Sequence, residues 1–366
     1  MSHATLKPRD SSVDILRALS IVVMMIIHSN ASFLNDPVSL WVWSYSQWVV
    51  PAFLLCSFLV GSYEVTSFAG YWRYAIARAR RLLIPYYAWL GIYIALLWFL
   101  RGSIPSSSSL IANIFFTGGN DYNWLVLLFL QSTLLGPLIM YLLKKRSYMS
   151  WIVFALSLAA SVAFTQNRGY WQGHYRLWLM ASWTGIIWGI LYFARLWQEK
   201  KYKAAGLFWL IAFVTYYVCS YVLVTRGGMR ADMFYHKYPP DIIYFLFCLW
   251  TTPLAYLGAV YSAKIFSEQS LFIRIARHIS VHSYTLFFIH ICVLAVMGAW
   301  FTRSALSYQQ YIIVLFAGTA LVHLLMRGCI LGLTYLRLKN KPHEGVRHSE
   351  RARGDRSARA DRKLKS

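Results

Sequence analysis

Residues 13–34 read VDILRALSIVVMMIIHSNASFL, an apolar stretch that is long enough to cross a membrane as one helix. Similar stretches recur along the 366-residue chain, of which 58% is apolar and only 13% charged. The charged residues collect in short clusters between these stretches, which is typical of repeated membrane spans. We therefore predict an all-α fold, a polytopic transmembrane helical bundle with about ten spans.

Each predicted span contains roughly twenty mainly apolar residues. The spans are 13–34, 40–63, 82–100, 122–143, 148–166, 178–197, 204–225, 242–263, 280–301 and 308–336. The connections on one side of them hold 16 Lys and Arg residues, and those on the other side hold 7. The positive-inside rule then predicts that both termini of this multi-pass protein are cytoplasmic.

Two domains are predicted, a transmembrane domain over 1–338 and a basic cytoplasmic tail over 339–366. The tail has almost no apolar content, so we expect it to be disordered. Eleven of the 36 Lys and Arg residues lie in the last thirty residues of the chain. We expect this positive charge to attract anionic membrane lipid, and we predict no nucleic-acid partner.

Three ionisable residues, Asp14, Arg17 and His28, lie in the first span. Such side chains are costly in hydrocarbon, so each is a candidate functional residue. Arg17 and His28 are close to three helical turns apart, which places them on one face with about 16 Å between them. Asp14 precedes Arg17 by one turn and is expected to pair with it. The structural alternative is that the first two anchor the interface and that His28 caps its helix.

An arginine-rich segment, YWRYAIARARRLLIPYY over residues 71–87, separates the second and third predicted spans. Arg78 and Arg81 share one predicted helix face, with Arg80 beside them. Guanidinium groups suit bidentate binding of phosphate, so these residues are candidates for a phosphate site. The alternative is that they only set the topology and contact lipid headgroups.

Polar residues elsewhere allow several interpretations. Lys237, in a predicted outer loop, is either a contact for an acidic glycan or a solvated charge. His290, in the ninth span, is either a hydrogen-bonded core histidine or a site residue. His278 and His282 have a spacing compatible with metal binding, but no third ligand is evident in the sequence, and we predict no metal.

The motifs also occur in a known order. Ten residues separate Arg17 from His28, and two separate Arg78 from Arg81. Four further segments belong to the same series: PAFLLCSFLVG (51–61), DYNWLVLLFLQSTLLGPLI (121–139), HKYPPDIIYF (236–245) and HSYTLFFIH (282–290). Together these motifs resemble those of the acyltransferase 3 family of membrane acyltransferases. The resemblance runs from about Val13 to about Ile330.

The resemblance implies a multi-pass O-acyltransferase of the inner, cytoplasmic membrane. Such an enzyme would move an acyl group, with acetyl as the first expectation, from cytoplasmic acyl-CoA to a hydroxyl of an extracytoplasmic or lipid-linked saccharide, such as exopolysaccharide or lipopolysaccharide. His28 would be the general base or a transient acyl carrier. Arg17 would stabilise anionic character along the acyl path, with Asp14 holding its guanidinium group.

The remaining candidate residues are expected to bind the two substrates. The phosphates of the donor substrate, acyl-CoA, are assigned to Arg78, Arg80 and Arg81, and the saccharide acceptor to Lys237, His290 and Trp124. A transporter or flippase is the alternative function, in which Arg17, His28 and Lys237 would line a path for a solute or protons. A scaffold without chemistry is disfavoured by the three ionisable residues in one span.

Overall fold

The structure, a computed structural model, describes residues 9–60, 68–119, 122–145, 147–301 and 306–339. Within these ranges the chain forms helices and no β-strand. A π-helical turn, Tyr221–Arg226, directly follows the tenth helix. The helices are α1 (Ser11–Asn30), α2 (Pro37–Tyr45), α3 (Val49–Val60), α4 (Phe68–Arg101), α5 (Ser107–Ile114), α6 (Asn123–Lys145), α7 (Ser147–Gln166), α8 (Arg168–Gly173), α9 (Tyr175–Gln198), α10 (Tyr202–Ser220), α11 (Ile242–Ile265), α12 (Leu271–Trp300) and α13 (Tyr308–Lys339).

The prediction of an all-α, polytopic membrane protein is confirmed. In the part of the chain that the structure describes, ten helical stretches are long and apolar enough to cross a membrane. Residues 40–60 of the predicted span 40–63 belong to α2, α3 and the connection around Gln47, and residues 61–63 lie outside the described residues. The predicted tail lies outside the described residues except for Lys339, with which α13 ends.

The arginine-rich segment is helical, as its predicted helix face required, and it is continuous with the third predicted span. Helix α4 begins at Phe68, so Arg78, Arg80 and Arg81 lie within one helix of 34 residues that extends well before residue 82. Helix formation continues because no glycine or proline interrupts the chain between Tyr71 and Ile84, and Arg is a good helix former. The helix therefore carries the guanidinium groups into the bundle from one end.

The interior of the bundle is formed mainly by α1, α3, α9 and α11. In each of α1, α9 and α11, 67% of the residues in the most apolar 18-residue stretch are buried. The corresponding share is 11% in α4 and in Tyr202–Arg226. Large apolar side chains of the peripheral helices are exposed, which fits a surface that lipid covers. At Gly185 of α9, an added Cβ would lie 2.6 Å from Ser157 and 2.8 Å from Phe245, so glycine permits the close approach of α7 and α11.

The chain divides into two compact units, one up to Phe316 and one from Ala317 onward. The first unit contains helices α1 to α12 and the beginning of α13, and it includes all the candidate residues that the sequence singled out as catalytic or substrate-binding. The second unit contains the remainder of α13. The site is therefore described within the first unit.

Candidate active site

Helices α1 and α12 lie side by side and run in the same direction. Near the beginning of α1, Ser280 Oγ donates a hydrogen bond to Asp14 Oδ1 at 2.7 Å. Near its end, His28 Nδ1 lies 2.7 Å from His290 Nε2. We call the end of the bundle where α1 begins the proximal end and the end where it finishes the distal end. The predicted catalytic histidine is thus distal.

The hydrogen bonds of the two histidines assign their tautomers. His290 Nδ1 lies 3.2 Å from the carbonyl oxygen of Leu286, which can only accept, so this nitrogen carries a hydrogen. In a neutral ring, Nε2 of His290 then holds the lone pair and accepts from Nδ1–H of His28. The lone pair of His28 is consequently on its Nε2. Because His290 is fully buried behind it, the hydrogen bond holds the His28 imidazole in one orientation, as a candidate general base requires.

A cavity of about 620 Å³, the distal cavity, lies beside His28. Its wall combines a few polar side chains with many aromatic rings, a composition typical of sites for small organic ligands. The polar lining consists of His28, Gln47, Gln172 and Lys237, and the aromatic lining of Trp43, Tyr122, Trp124, Tyr175, Phe234, Tyr238 and Phe287. Of the predicted acceptor residues, Lys237 and Trp124 therefore meet His28 at one cavity.

Lys237 is buried, with only 5% of its surface exposed, so the solvated-loop interpretation is wrong. Its Nζ donates to Gln47 Oε1 at 3.0 Å and lies 4.9 Å from the ring centre of Trp124 and 5.5 Å from that of Tyr238. Burial lowers the pKa of Lys237 from its usual value to about 7. The amine therefore changes charge near neutral pH, beside the cavity that His28 lines.

The segment that carries Lys237, residues 227–241, is anchored by a buried ionic network. Asp241 Oδ2 accepts from Arg168 Nη1 at 2.7 Å and lies 2.6 Å from His236 Nδ1, and the three side chains are buried. The other oxygen of Asp241 caps the first turn of α11. This network fixes the residue before Lys237, which explains how a loop residue is placed in the wall of a cavity.

A second cavity of about 340 Å³, the proximal cavity, lies on the proximal side of the first. Arg17 of α1 and Arg78 and Arg81 of α4 contribute three guanidinium groups to its wall. No Asp or Glu is part of this wall where the structure describes it. The proximal cavity is therefore suited to an anionic ligand.

Arg78 and Arg17 make few hydrogen bonds within the protein, so some of their N–H groups remain available to a ligand. Arg78 donates to Tyr74 Oη at 3.2 Å and to Ser57 Oγ, while its Nε is buried without a hydrogen-bond partner among the described residues. Arg17 donates to the carbonyl oxygen of Cys56 at 3.5 Å, a long contact. A buried donor without a partner is costly, so a phosphate at this position would relieve that cost.

Asp14 has partners other than the predicted one. Arg9 donates to its two carboxylate oxygens at 2.6 and 2.7 Å, and Ser280 donates as well. The predicted pairing with Arg17 is wrong, because Asp14 faces α12 whereas Arg17 faces Cys56 of α3. Asp14 therefore joins the start of α1 to α12 and lines neither cavity where the structure describes them.

Two other candidates also lie apart from the cavities. Arg80 is exposed and is not part of the described wall of the proximal cavity. His290 contacts His28 but does not line the described distal cavity. The placement of His290 matches its interpretation as a hydrogen-bonded core histidine, and its partner is the predicted base.

Sequence reasoning missed several residues of the distal cavity. Gln47 holds Lys237, and its position inside an apolar stretch was a visible signal, because an amide is unusual in the middle of a span. Tyr122, Tyr175 and Tyr238 line the same cavity, but their sequence positions near span ends are equally typical of an interfacial aromatic belt. Only the tertiary structure distinguishes these two roles.

Comparison with known proteins identifies the family of the chain. Residues 10–327, nearly the whole chain, match the acyltransferase domain of the acyltransferase 3 family. Neither the curated proteins nor the solved structures gave a significant match. The match extends from the residue before α1 into α13, so it includes both cavities and all the candidate residues described above, although not Arg9, the partner of Asp14. The chain is therefore a multi-pass membrane acyltransferase that belongs to the acyltransferase 3 family.

Proposed function

We propose that the protein is an O-acyltransferase that transfers an acyl group, acetyl first, from acyl-CoA to a hydroxyl of a saccharide. One observation carries this proposal: a histidine base with an assigned lone pair lines one cavity, and an arginine-lined cavity shares part of its wall. In this proposal acyl-CoA enters the proximal cavity and the saccharide enters the distal cavity. The family membership supports the acyl transfer itself.

The proximal cavity supports the assignment of the donor. Acyl-CoA carries several phosphates, and the guanidinium groups of Arg17, Arg78 and Arg81 are the groups that bind phosphate best. Arg80, which is exposed, would add attraction for the same phosphates from outside the cavity. We assign Asp14 a positioning role, because it holds the start of α1 against α12.

The distal cavity supports the assignment of the acceptor. Flat aromatic side chains such as Trp124 pack well against the apolar faces of sugar rings, and polar groups such as Gln47 and Lys237 fix the orientation of a bound ligand. The positive charge of Lys237 favours an acidic or phosphate-bearing saccharide. Lipid-linked glycan and exopolysaccharide or lipopolysaccharide precursors satisfy this description.

The proposed reaction is a single acyl transfer. His28 Nε2 removes the proton of the acceptor hydroxyl, and the oxygen attacks the thioester carbonyl carbon. The carbon–sulfur bond breaks, an ester bond forms, and His28 returns the proton to the departing CoA thiolate. The hydrogen bond to His290 keeps His28 in the tautomer that this reaction requires.

We further propose that the proximal end faces the cytoplasm, since the Lys- and Arg-rich connections lie there. We also propose that the protein lies in the inner, cytoplasmic membrane, where acyl-CoA is available on one side and the saccharide on the other. The test uses purified protein reconstituted in vesicles of known orientation, with acyl-CoA labelled in its acyl group and supplied to one side. Ester-linked label on the saccharide, formed only with donor at the proximal side, is the expected result. A protein that moves saccharide across the membrane without consuming acyl-CoA would instead be a transporter.

Replacement of His290, which orients His28, should lower the rate of acyl transfer less than replacement of His28 itself. His290→Gln removes the imidazole acceptor that orients His28, and we expect a decrease in kcat of about tenfold with the KM for the saccharide unchanged. Steady-state kinetics in both substrates would measure the two constants separately. An increase in the saccharide KM without a change in kcat would show that His290 binds substrate, as the sequence first indicated.

The pH dependence of transfer should report on Lys237. Because the buried amine has a pKa of about 7, it is charged below neutral pH and neutral above it. If its charge holds an anionic group of the acceptor, the transfer rate falls as pH rises through this pKa. We expect Lys237→Met to lack the falling limb.

Lys237→Arg is the matched control, because its side chain remains charged throughout this pH range. Measurement of kcat/KM for the saccharide across neutral pH checks the prediction. A falling limb that is identical in Lys237→Met and in the wild type would assign this titration to another group.

A further inference from the structure

The two cavities share a wall made of two apolar side chains. Of the described residues, Leu125 of α6 and Phe287 of α12 are the ones that line both the distal and the proximal cavity. Both side chains are buried, with 7% and 5% of their surface exposed. We call this pair the septum.

The septum lies next to the proposed base. The ring of Phe287 is 6.4 Å from that of His28 and 5.4 Å, edge to face, from that of His290. Phe287 precedes His290 by one helical turn on α12, and Leu125 follows Trp124 of the distal cavity on α6. An acyl group that comes from the proximal cavity therefore has to pass these two side chains to reach His28.

We propose that Leu125 and Phe287 determine the length of the acyl group that the enzyme transfers. This inference rests on the proposed function, since it assigns the donor to the proximal cavity. The septum leaves room for a short acyl group beside His28 and excludes longer chains, because extra methylenes in a closely packed interior force neighbouring side chains from their places. The septum also separates the hydroxyl of the acceptor from the water and phosphates on the donor side.

An apolar cavity wall can give only a limited selectivity in kcat/KM between acyl chains of different length. One methylene more or less in an apolar pocket changes kcat/KM by about 10–200-fold. A wall residue that is shortened should therefore relax the discrimination between acetyl and butyryl donors by at least about tenfold. A wall residue that is enlarged should tighten it.

The experiment measures the ratio of kcat/KM for butyryl-CoA to that for acetyl-CoA, with purified full-length protein and one saccharide acceptor. We expect Phe287→Leu and, independently, Leu125→Ala to raise this ratio by about tenfold or more. Phe287→Trp should lower it. The use of variants on two helices keeps the test valid if one of them fails to fold.

Phe288→Leu is the matched control. Phe288 is equally buried and adjacent in sequence, and its ring packs against Tyr86, Trp89 and the edge of Phe287, yet it lines neither of the two cavities in the described structure. The ratio of kcat/KM for butyryl-CoA to that for acetyl-CoA should be the same in Phe288→Leu as in the wild type.

If folded Phe287→Leu and Leu125→Ala also keep the wild-type ratio while transferring acetyl, the septum does not select the acyl chain. A wild type that consumes no acyl-CoA at all would overturn the proposed function and this inference together.

Discussion

Replacement of His28 by glutamine is expected to lower acyl transfer by about 10²–10⁴-fold, the usual contribution of a general base. Glutamine has a similar size and retains hydrogen-bonding groups towards His290, but it has no nitrogen that accepts a proton near neutral pH. Because the side chain is half-buried in a long apolar helix, the protein should still insert and fold. The measurement is transfer from labelled acyl-CoA to saccharide, normalised to the amount of folded protein.

The control for this variant is His174→Gln, at an exposed histidine that lies between α8 and α9 and bonds only to local backbone in the described structure. It should transfer at the wild-type rate. A His28→Gln protein that acylates as fast as the wild type would make His28 a structural histidine, and the mechanism would have to be abandoned. If labelled acyl groups accumulate covalently on the wild-type protein but not on the variant, His28 is an acyl carrier instead of a base.

Replacement of Arg78 by glutamine is expected to decrease kcat/KM for acyl-CoA by about 10–100-fold. A hydrogen bond to a charged group contributes about 1.5–3 kcal/mol, which corresponds to this range. The effect should appear mainly in the KM for acyl-CoA, since Arg78 lines the proximal cavity and is absent from the described lining of the distal cavity. Arg78→Lys keeps the charge but loses the planar pair of donors, so an intermediate value is expected.

Arg73→Gln, at an exposed arginine of the same helix, is the control and should bind acyl-CoA as the wild type does. Steady-state kinetics with each substrate varied in turn would separate the two KM values. An Arg78→Gln protein whose saccharide KM rises while the KM for acyl-CoA is unchanged would exchange the roles of the two cavities.

Membrane crossing is a local property, which explains why the sequence was informative about the spans. Whether a stretch crosses a bilayer depends on its length and apolar content, and lipid supplies no specific partner that has to be known in advance. The ends of the helices were less predictable, because they depend on contacts with neighbouring helices. Helix α4 shows this, since it extends through the arginine-rich segment that was expected to connect two spans.

The chemistry of individual side chains could also be read from the sequence. An ionisable residue in an apolar span is costly, so Asp14, Arg17 and His28 were visible as candidates before any contact was known. Their spacing placed Arg17 and His28 on one face of α1, and each lines one of two adjoining cavities. The motif order was sufficient to identify the family.

Partners that are distant in sequence were decided by tertiary structure alone. His28 and His290 lie 262 positions apart, and no local pattern connects them, yet their hydrogen bonds assign the lone pair of His28 to its Nε2. Lys237 lies in a loop, as expected, but a buried network around Asp241 and a contact with Gln47 place it in a cavity wall. Its burial there lowers its pKa. Sequence determines which groups are present and which helix face they occupy, because propensity and hydropathy act over a few turns. Desolvation and pairing depend on which helices pack together, and only the folded bundle decides that.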